Sequence, residues 1–238
     1  MNDGWKPKRF WTQTQVVPAE GGFTVALDGR PVRTPAKAPL VLPTRALAEA
    51  VAAEWEAQEG EVDPMSMPCT RTANSAIDKV AVQYDEVAEL LAAYGETDLV
   101  CYRAEGPREL VARQSAAWDP LLDWAADALG ARLAPVAGVI PAPQDAAALD
   151  RLAARIRAFG PFELAAFHDL VTLPGSLLVG FAAVNALHPP ETLWEIARVD
   201  ELWQQEQWGV DDEAADHNVL KKRAFLHAAR FFSLLSRE

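Results

Sequence analysis

Thiols are scarce in this chain. Cys69 and Cys101 are the only two cysteines in 238 residues, and they form no C-x-x-C pair. That excludes a disulfide framework and a thiolate zinc site, and it suits a reducing compartment in which both thiols simply pack. Long apolar runs are also missing, because Gly, Pro or polar residues interrupt each one well short of the about 20 residues of a membrane-spanning helix. The first residues, Met1 to Arg9, carry a few positive charges but no apolar stretch behind them, and no long Arg- and Ser-rich amphipathic segment follows. Neither a secretory signal nor a transit peptide is expected. Positive charge is in short supply as well: 22 Lys and Arg stand against 34 Asp and Glu, for a net charge of −12. A field of that sign repels phosphate backbones and anionic lipid, so nucleic acid and membrane insertion are both excluded as expectations.

The usual catalytic signatures are absent too. A phosphate cradle needs clustered glycines ahead of a helix so that backbone N–H groups face the anion. The chain has no G-x-x-x-x-G-K-[ST] and no G-x-G-x-x-G; Gly175-Ser176 is an ordinary helix start. The G-x-S-x-G elbow of serine hydrolases is missing. Of the four histidines, His168 stands beside Asp169 in an apolar helical stretch, as a hydrogen-bonded structural imidazole would. The densest set of ligand-type residues is Asp211, Asp212, Glu213, Asp216 and His217. The pairs Asp212/Asp216 and Glu213/His217 have the i, i+4 spacing of metal ligands on a helix. Carboxylates also gather in first turns without any metal, because the helix dipole favours them there. A metal-dependent enzyme built on Asp212, Glu213, Asp216 and His217 is therefore the catalytic alternative. The primary expectation is no enzyme, no cofactor and no metal.

What is present is an ordinary globular composition, 50% hydrophobic and 24% charged. At this length about 70–75% of the unfolded surface can be buried without covalent staples. The first forty-odd residues read as β. Phe10 to Val17 is rich in Thr, Val and aromatics, and after Gly21-Gly22 the residues Phe23, Val25 and Leu27 alternate with smaller or polar ones. Asp28-Gly29 predicts a tight hairpin turn, Arg30 to Thr34 the return strand, and Pro31 an edge position for it. From Thr44, a plausible N-cap, the period becomes helical. Ala73, Ile77, Val80, Tyr84, Val87, Leu91 and Tyr94 form one long helix or two in series, and Thr97 to Ala104 reads as a connector with strand character. Arg108 to Ala117 is followed by Asp119-Pro120, which predicts a helix restart running to Gly130. Pro135 to Pro143 reads as a loop and Asp145 as a helix cap. Ser176 to Leu187 is apolar nearly all round and reads as the central buried helix. A helix from His188-Pro189-Pro190 to about Gln207 and a last one from Asp212 towards Ser236 complete the chain. The fold class is α+β: a small N-terminal antiparallel β-containing domain, residues 1–68 with one helix at about 44–59, then a larger all-helical domain, residues 69–238.

Two features point towards a protein partner. Residues 191–216 hold nine carboxylates against one Arg, whereas residues 1–45 hold seven Lys and Arg against three carboxylates. Such polarity suits a partner surface, or a solvated helix face. The chain also has eight tryptophans against three tyrosines. Trp55, Trp118, Trp124 and Trp194 fall on apolar stripes, but Trp203 and Trp208 sit among Glu and Gln. Glu201, Gln204 and Trp208 share one helix face at i, i+3, i+7. An aromatic anchor on a polar face is a common binding surface; a Trp208 folded back as a C-terminal staple is the alternative.

Leu27-Asp28-Gly29-Arg30-Pro31-Val32-Arg33-Thr34-Pro35 resembles the opening motif of the F-type ATP synthase assembly chaperones that hold the α subunit of the catalytic head. The resemblance continues through Glu54-Trp55-x-Ala57-Gln58, Met67-Pro68-x-Thr70-Arg71-x-Ala73, Asp98-Leu99-x-Cys101-Tyr102-Arg103, Trp118-Asp119-Pro120-Leu121-Leu122 and Glu201-x-x-Gln204-x-x-x-Trp208-Gly209. It spans most of the chain in the family's order. It implies a non-enzymatic chaperone with a β-rich head and a helical body, which binds unassembled α subunits until β subunits take over the interface. Glu201, Gln204 and Trp208 match the family's C-terminal motif, and client binding is expected there. The family occurs in mitochondria and α-proteobacteria. Because the chain begins almost at the first motif with no presequence, the expectation is a bacterial cytoplasmic protein, acting as a monomer. A general holdase without a preferred client is the remaining alternative.

Overall fold

The computed structural model describes residues 8–138, 140, 142–209 and 211–236, and the side chain of Asp212 lies outside that description. The chain forms two compact units. One takes Met1–Tyr84, Pro161–Ala165 and Arg230–Glu238, and the other takes Asp85–Gly160 and Ala166–Ala229.

In the N-terminal unit, β1 (Thr14–Ala19) and β2 (Gly22–Leu27) pair antiparallel from Thr14↔Leu27 to Ala19↔Gly22. Next, β3 (Arg30–Pro31) pairs with β2 on its other side, leaving Pro31 on an edge strand where its missing N–H is harmless. Asp28 and Gly29 have φ of 47° and 79°, the two left-handed residues that a two-residue hairpin of the right twist requires. The Asp28 carboxylate accepts from the N–H of Gln13 at 2.8 Å and of Thr12 at 3.1 Å, and the bond from Gln13 leads in holding its pKa down. Those bonds explain why β1 starts later than the expected Phe10. Residues 12 and 13 are held by the turn, and β2 has no residue left to pair with them.

Four successive residues of β2, Thr24 to Leu27, are buried. Neighbouring side chains on a strand face opposite ways, so both faces of this central strand are covered. The segment around Leu40 and Leu42 closes over it, with Phe23 and Leu42 exchanging backbone bonds of 2.9 and 2.7 Å. A Cβ on Gly22 would collide with the Leu42 carbonyl oxygen. Gly22→Ala is therefore expected to push the 40–42 segment off β2 and to lower stability by about 1–3 kcal/mol; an unchanged urea midpoint would contradict this packing.

Thr44 caps α1 (Arg45–Glu56), its Oγ1 accepting from Leu47 N at 3.2 Å and donating to Leu234 O at 2.6 Å. On the polar side of α1, Glu54 accepts from the N–H groups of Cys69 (2.6 Å) and Thr70 (2.8 Å) and from the Thr70 hydroxyl (2.7 Å). These are first-turn donors of α2 (Pro68–Ser75), which have no partner inside their own helix. Buried Gln58 braces the intervening loop, donating to Glu54 O and Ser66 Oγ and accepting from Asp63 N. A π-helical turn, Ala76–Val80, separates α2 from α3 (Tyr84–Ala93), so the long stripe is two helices in series.

The C-terminal unit is built around α7 (Leu177–Val184), whose residues from Leu177 to Ala182 are all buried. Phe159, Phe167 and Phe181 cluster there, with ring centroids 4.9 to 6.5 Å apart. Of these, Phe167 belongs to α6 (Pro161–Thr172). Asp98 is fully buried. It accepts from Val100 N at 3.1 Å, which caps the 3₁₀ turn Leu99–Cys101, and from Leu178 N at 3.0 Å in the first turn of α7. Next comes a parallel pair of two-residue strands, β4 (Tyr102–Arg103) and β5 (Val136–Ala137). The expected small antiparallel sheet followed by a mostly helical remainder is what the chain forms; of the parallel pair, β4 falls in the 97–104 connector expected to have strand character and β5 in the 135–143 segment expected to be loop.

Two helix boundaries differ from expectation. The helix α4 (Arg108–Trp124) runs straight through Asp119-Pro120 instead of restarting there. Pro120 is exposed, so the carbonyl its missing N–H leaves free can face water, while buried Trp118, Leu121 and Leu122 anchor both sides. A π-helical turn then leads to Gly130, which ends the helix at φ 67° as expected. Asp145 caps α5 (Ala146–Ile156). The single helix expected from His188 to Gln207 is instead two, α8 (Pro190–Ile196) and α9 (Val199–Trp208). The Trp118 indole N–H donates to Ile196 O at 2.7 Å, at the point where the helical ladder stops. Finally, α10 (Asp212–Ser233) buries Phe225, Ala228 and Phe231 in its second half and none of its described side chains before Phe225.

Candidate functional site

Helix α9 buries none of its residues, so packing alone does not fix it. Polar bonds to α4 do. Arg113 pairs with Glu206 at 2.8 Å and lays its guanidinium 4.8 Å over the Trp203 ring. The hydrogen bond raises the Arg113 pKa and lowers that of Glu206. Buried Gln114 takes the N–H of Ala104 at 2.8 Å on one side and donates to Asp200 at 2.6 Å on the other. The amino end of α9 is tied by Arg198, which reaches Glu201 at 3.1 Å and stands 5.7 Å over Trp194.

Between α9, the start of α4 and β4 lies a groove of about 410 Å³. Tyr102, Leu110, Trp203, Gln204 and Trp208 line it, with Glu105 and Asp200 as its carboxylates and Gly106 and a cis Pro107 in one wall. Trp208 is 78% exposed and does not fold back as a staple before Gly209. Gln204, also exposed, joins it on the groove. Glu201 does not line the groove; it is half-buried beside Arg198. Of the three residues expected to bind a client, two therefore share one concave surface and the third lies on the same helix.

Arg103 is the buried cation of the groove, only 9% exposed. Its Nη2 sits 2.8 Å from Asp119 Oδ1, close enough for an ion pair, but none of Nε, Nη1 and Nη2 has a hydrogen-bond acceptor among the described residues. The guanidinium rests 5.2 Å over the Trp118 ring instead, an arrangement that suits the weakly hydrated arginine cation. Spacing along α9 gives no hint of Glu105, Tyr102 or Pro107, which arrive from a loop about a hundred residues earlier.

The acidic segment is largely spoken for within the chain. Glu195 faces Lys222 at 3.7 Å, Asp200, Glu201 and Glu206 have the partners named above, and Asp211 caps α10 by accepting from the N–H groups of Glu213 and Ala214. Glu213, Asp216 and His217 are exposed, and among the described residues no group of three His, Cys, Asp or Glu could hold a metal ion. No described helix is long and apolar enough to cross a membrane. Cys69 and Cys101 are free, buried thiols, each pushed up to about 12 chiefly by burial.

Residues 8–126 match the family described as ATP12 chaperone protein. Over 230 residues the chain is 25% identical to the mitochondrial protein atp12 of Schizosaccharomyces pombe, covering 91% of this chain and 79% of that protein. The crystal structure of Atp12 from Paracoccus denitrificans superimposes with a TM-score of 0.95 at 48% identity, over 96% of this chain and 98% of that one. The Atu1473 protein of Agrobacterium tumefaciens gives 0.88 at 42% identity, over 94% and 85%. The family match ends at the close of α4, whereas the structural likeness runs on through most of the chain, so the same fold carries the groove and α9. On both counts the chain belongs to the ATP12 chaperone family.

Proposed function

We propose that this chain is a non-catalytic assembly chaperone of the F-type ATP synthase. It binds the unassembled α subunit of the catalytic head and releases it when β subunits cover the same surface. Before assembly an α subunit exposes a large apolar interface, the kind of surface that aggregates unless covered. Release needs no nucleotide, because a partner of higher affinity displaces the chaperone by competition alone. The site is the face of α9 carrying Glu201, Gln204 and Trp208, and the protein works as a monomer in the cytoplasm. The observation that carries this placement is Trp208: a large indole left in solvent beside a concave surface, on a helix whose own contacts are satisfied elsewhere.

Trp208→Ala is expected to weaken binding of the α subunit at least tenfold, the loss typical of an interface anchor. Its melting temperature should stay within about a degree of the parent's, because the ring is exposed. Glu201→Lys is expected to weaken binding as well, with helicity intact. Undiminished affinity in both variants, measured by titration against freshly synthesised α subunit, would move the site away from α9.

A further inference from the structure

Arginine meets tryptophan in one recurring arrangement in this molecule. Arg9 stands 5.5 Å over Trp11 and pairs with Glu56 at 3.0 Å. Arg103 stands 5.2 Å over Trp118 and pairs with Asp119 at 2.8 Å. Arg113 lies 4.8 Å over Trp203 and pairs with Glu206 at 2.8 Å, and Arg198 lies 5.7 Å over Trp194 and pairs with Glu201 at 3.1 Å. In each case the guanidinium carbon stands over an indole ring and a guanidinium nitrogen lies within 3.1 Å of a carboxylate oxygen, an approach that is a hydrogen bond for Arg9 and Arg113 and an ion pair for Arg103 and Arg198. The two contacts do not compete, because they use different surfaces of the same planar cation.

The groove beside α9 holds one more indole and two more carboxylates without a cation of their own, because its lining cation, Arg103, is stacked on Trp118 and paired with Asp119. Trp208 presents an exposed indole on which no arginine rests among the described residues. Glu105 lines the same groove, exposed and without an ion pair among the described residues. Asp200 lines it too, with its Oδ1 taken only by the neutral amide of Gln114. Arg103 does not cancel these charges at the surface, being nine-tenths buried and offset by Asp119. What faces solvent in the groove is thus aromatic and negative.

We propose that this groove receives an arginine side chain of the client protein, with its guanidinium stacked on Trp208 and its N–H edge facing Glu105 and Asp200. The inference rests on the proposed binding of the α subunit through α9 and adds the chemistry by which it is held. An acidic client segment is disfavoured, because it would bring like charge against Glu105 and Asp200. A lysine fits less well, because an ammonium lacks the flat face and the forked donors that the four internal examples use.

The experiment titrates the full chain with α subunit from the same organism, using wild type, Glu105→Gln, Glu105→Lys and Trp208→Ala, at about 50 mM and about 500 mM NaCl. Glu105 and Trp208 are both exposed, so all variants should keep the wild-type melting curve. The expected result is a several-fold loss for Glu105→Gln and a loss of at least about tenfold for Glu105→Lys, with wild-type affinity falling several-fold at high salt, as exposed charge pairs do. Arginine-to-lysine substitutions scanned across the client's surface should then reproduce the Glu105→Gln loss at one position. If α subunit binds and Trp208→Ala weakens it while Glu105→Lys and salt leave affinity unchanged, the groove takes an uncharged segment and the arginine proposal is wrong, with the chaperone reading intact. If wild type does not bind α subunit at all, both fall together.

Discussion

Asp98→Asn is expected to lower the stability of the folded chain by about 1–3 kcal/mol, the usual cost of leaving a buried donor without its acceptor. The carboxylate of Asp98 has two oxygens and serves Val100 N–H, Leu178 N–H, Leu177 N–H and the Ser176 hydroxyl, joining the 3₁₀ turn before β4 to the first turn of α7. An amide offers one oxygen, and its NH₂ group would face another donor. The same substitution should alter how stability depends on pH. Burial pushes the Asp98 pKa from 3.8 up to about 6, and the hydrogen bonds from Ser176, Leu178, Val100 and Leu177 pull against that shift without cancelling it. The folded chain therefore holds the proton more tightly than the unfolded chain does. The stability this carboxyl contributes is complete below about pH 4 and is lost as pH rises through about 6, a change on the order of 2–3 kcal/mol. Subtracting the variant's unfolding free energy from the wild type's isolates this group from the other carboxylates. That difference, from urea melts, should be larger at pH 4 than at pH 7; a difference that grows with pH would contradict the assignment.

Glu54→Ala should act comparably on the N-terminal unit. Glu54 is the only side chain that joins α1 to the first turn of α2 in the bonds described, and it does so through three acceptances at 2.6 to 2.8 Å. Bonds to a charged acceptor are worth more than neutral ones, so their loss should cost about 2–4 kcal/mol. Cys69 supplies a local readout. Its thiol is pushed up to about 12 by burial first and by the neighbouring Glu54 charge second, so alkylation at pH 8 has to wait for the site to open. Removing Glu54 both loosens the site and removes an anion that disfavours the thiolate. Cys69 alkylation, followed by mass spectrometry, should accelerate at least about thirtyfold, the kinetic equivalent of 2 kcal/mol of easier opening. Unchanged labelling would show that α2 is held by something other than this carboxylate.

These two carboxylates also explain why some of the family motifs look as they do. Glu54, Gln58 and Thr70 belong to one hydrogen-bonded network, and Asp98 belongs to another. In the same way Arg103, Trp118 and Asp119, taken from two separate motifs, meet as a stacked and paired set. Residues far apart in the sequence thus cap, brace or stack on one another in the folded chain.

The features legible in the sequence are those whose causes are local. Thr44, Asp145 and Gly130 sit where capping chemistry puts them, and Asp28-Gly29 makes its turn from its own two residues. Ser176 to Leu187 reads as buried because it is apolar all round, and α7 is buried. Features set by distant groups are not legible. The break between α8 and α9 coincides with a bond from the Trp118 indole to Ile196, and α4 passes through Pro120 because buried neighbours hold the helix on both sides. The candidate site divides in the same way. The i, i+3, i+7 spacing of Glu201, Gln204 and Trp208 is visible on one helix, but the groove that Gln204 and Trp208 line is completed by Tyr102, Glu105 and Pro107, which only the folded chain brings near. The pairing of Glu201 with Arg198 is an ordinary i, i+3 contact, and Glu201 does not line the groove, whose carboxylates are Glu105 and Asp200.

Under the proposed function a client subunit occupies the chaperone only until its assembly partner displaces it. Co-purification of the chain with α subunit from its own organism, before and after addition of β subunit, tests this. A stoichiometric complex with α subunit that dissolves as β subunit is titrated in, leaving free chaperone, is the expected result. Failure to form a complex with freshly synthesised α subunit, or a complex that persists in excess β subunit, would contradict it.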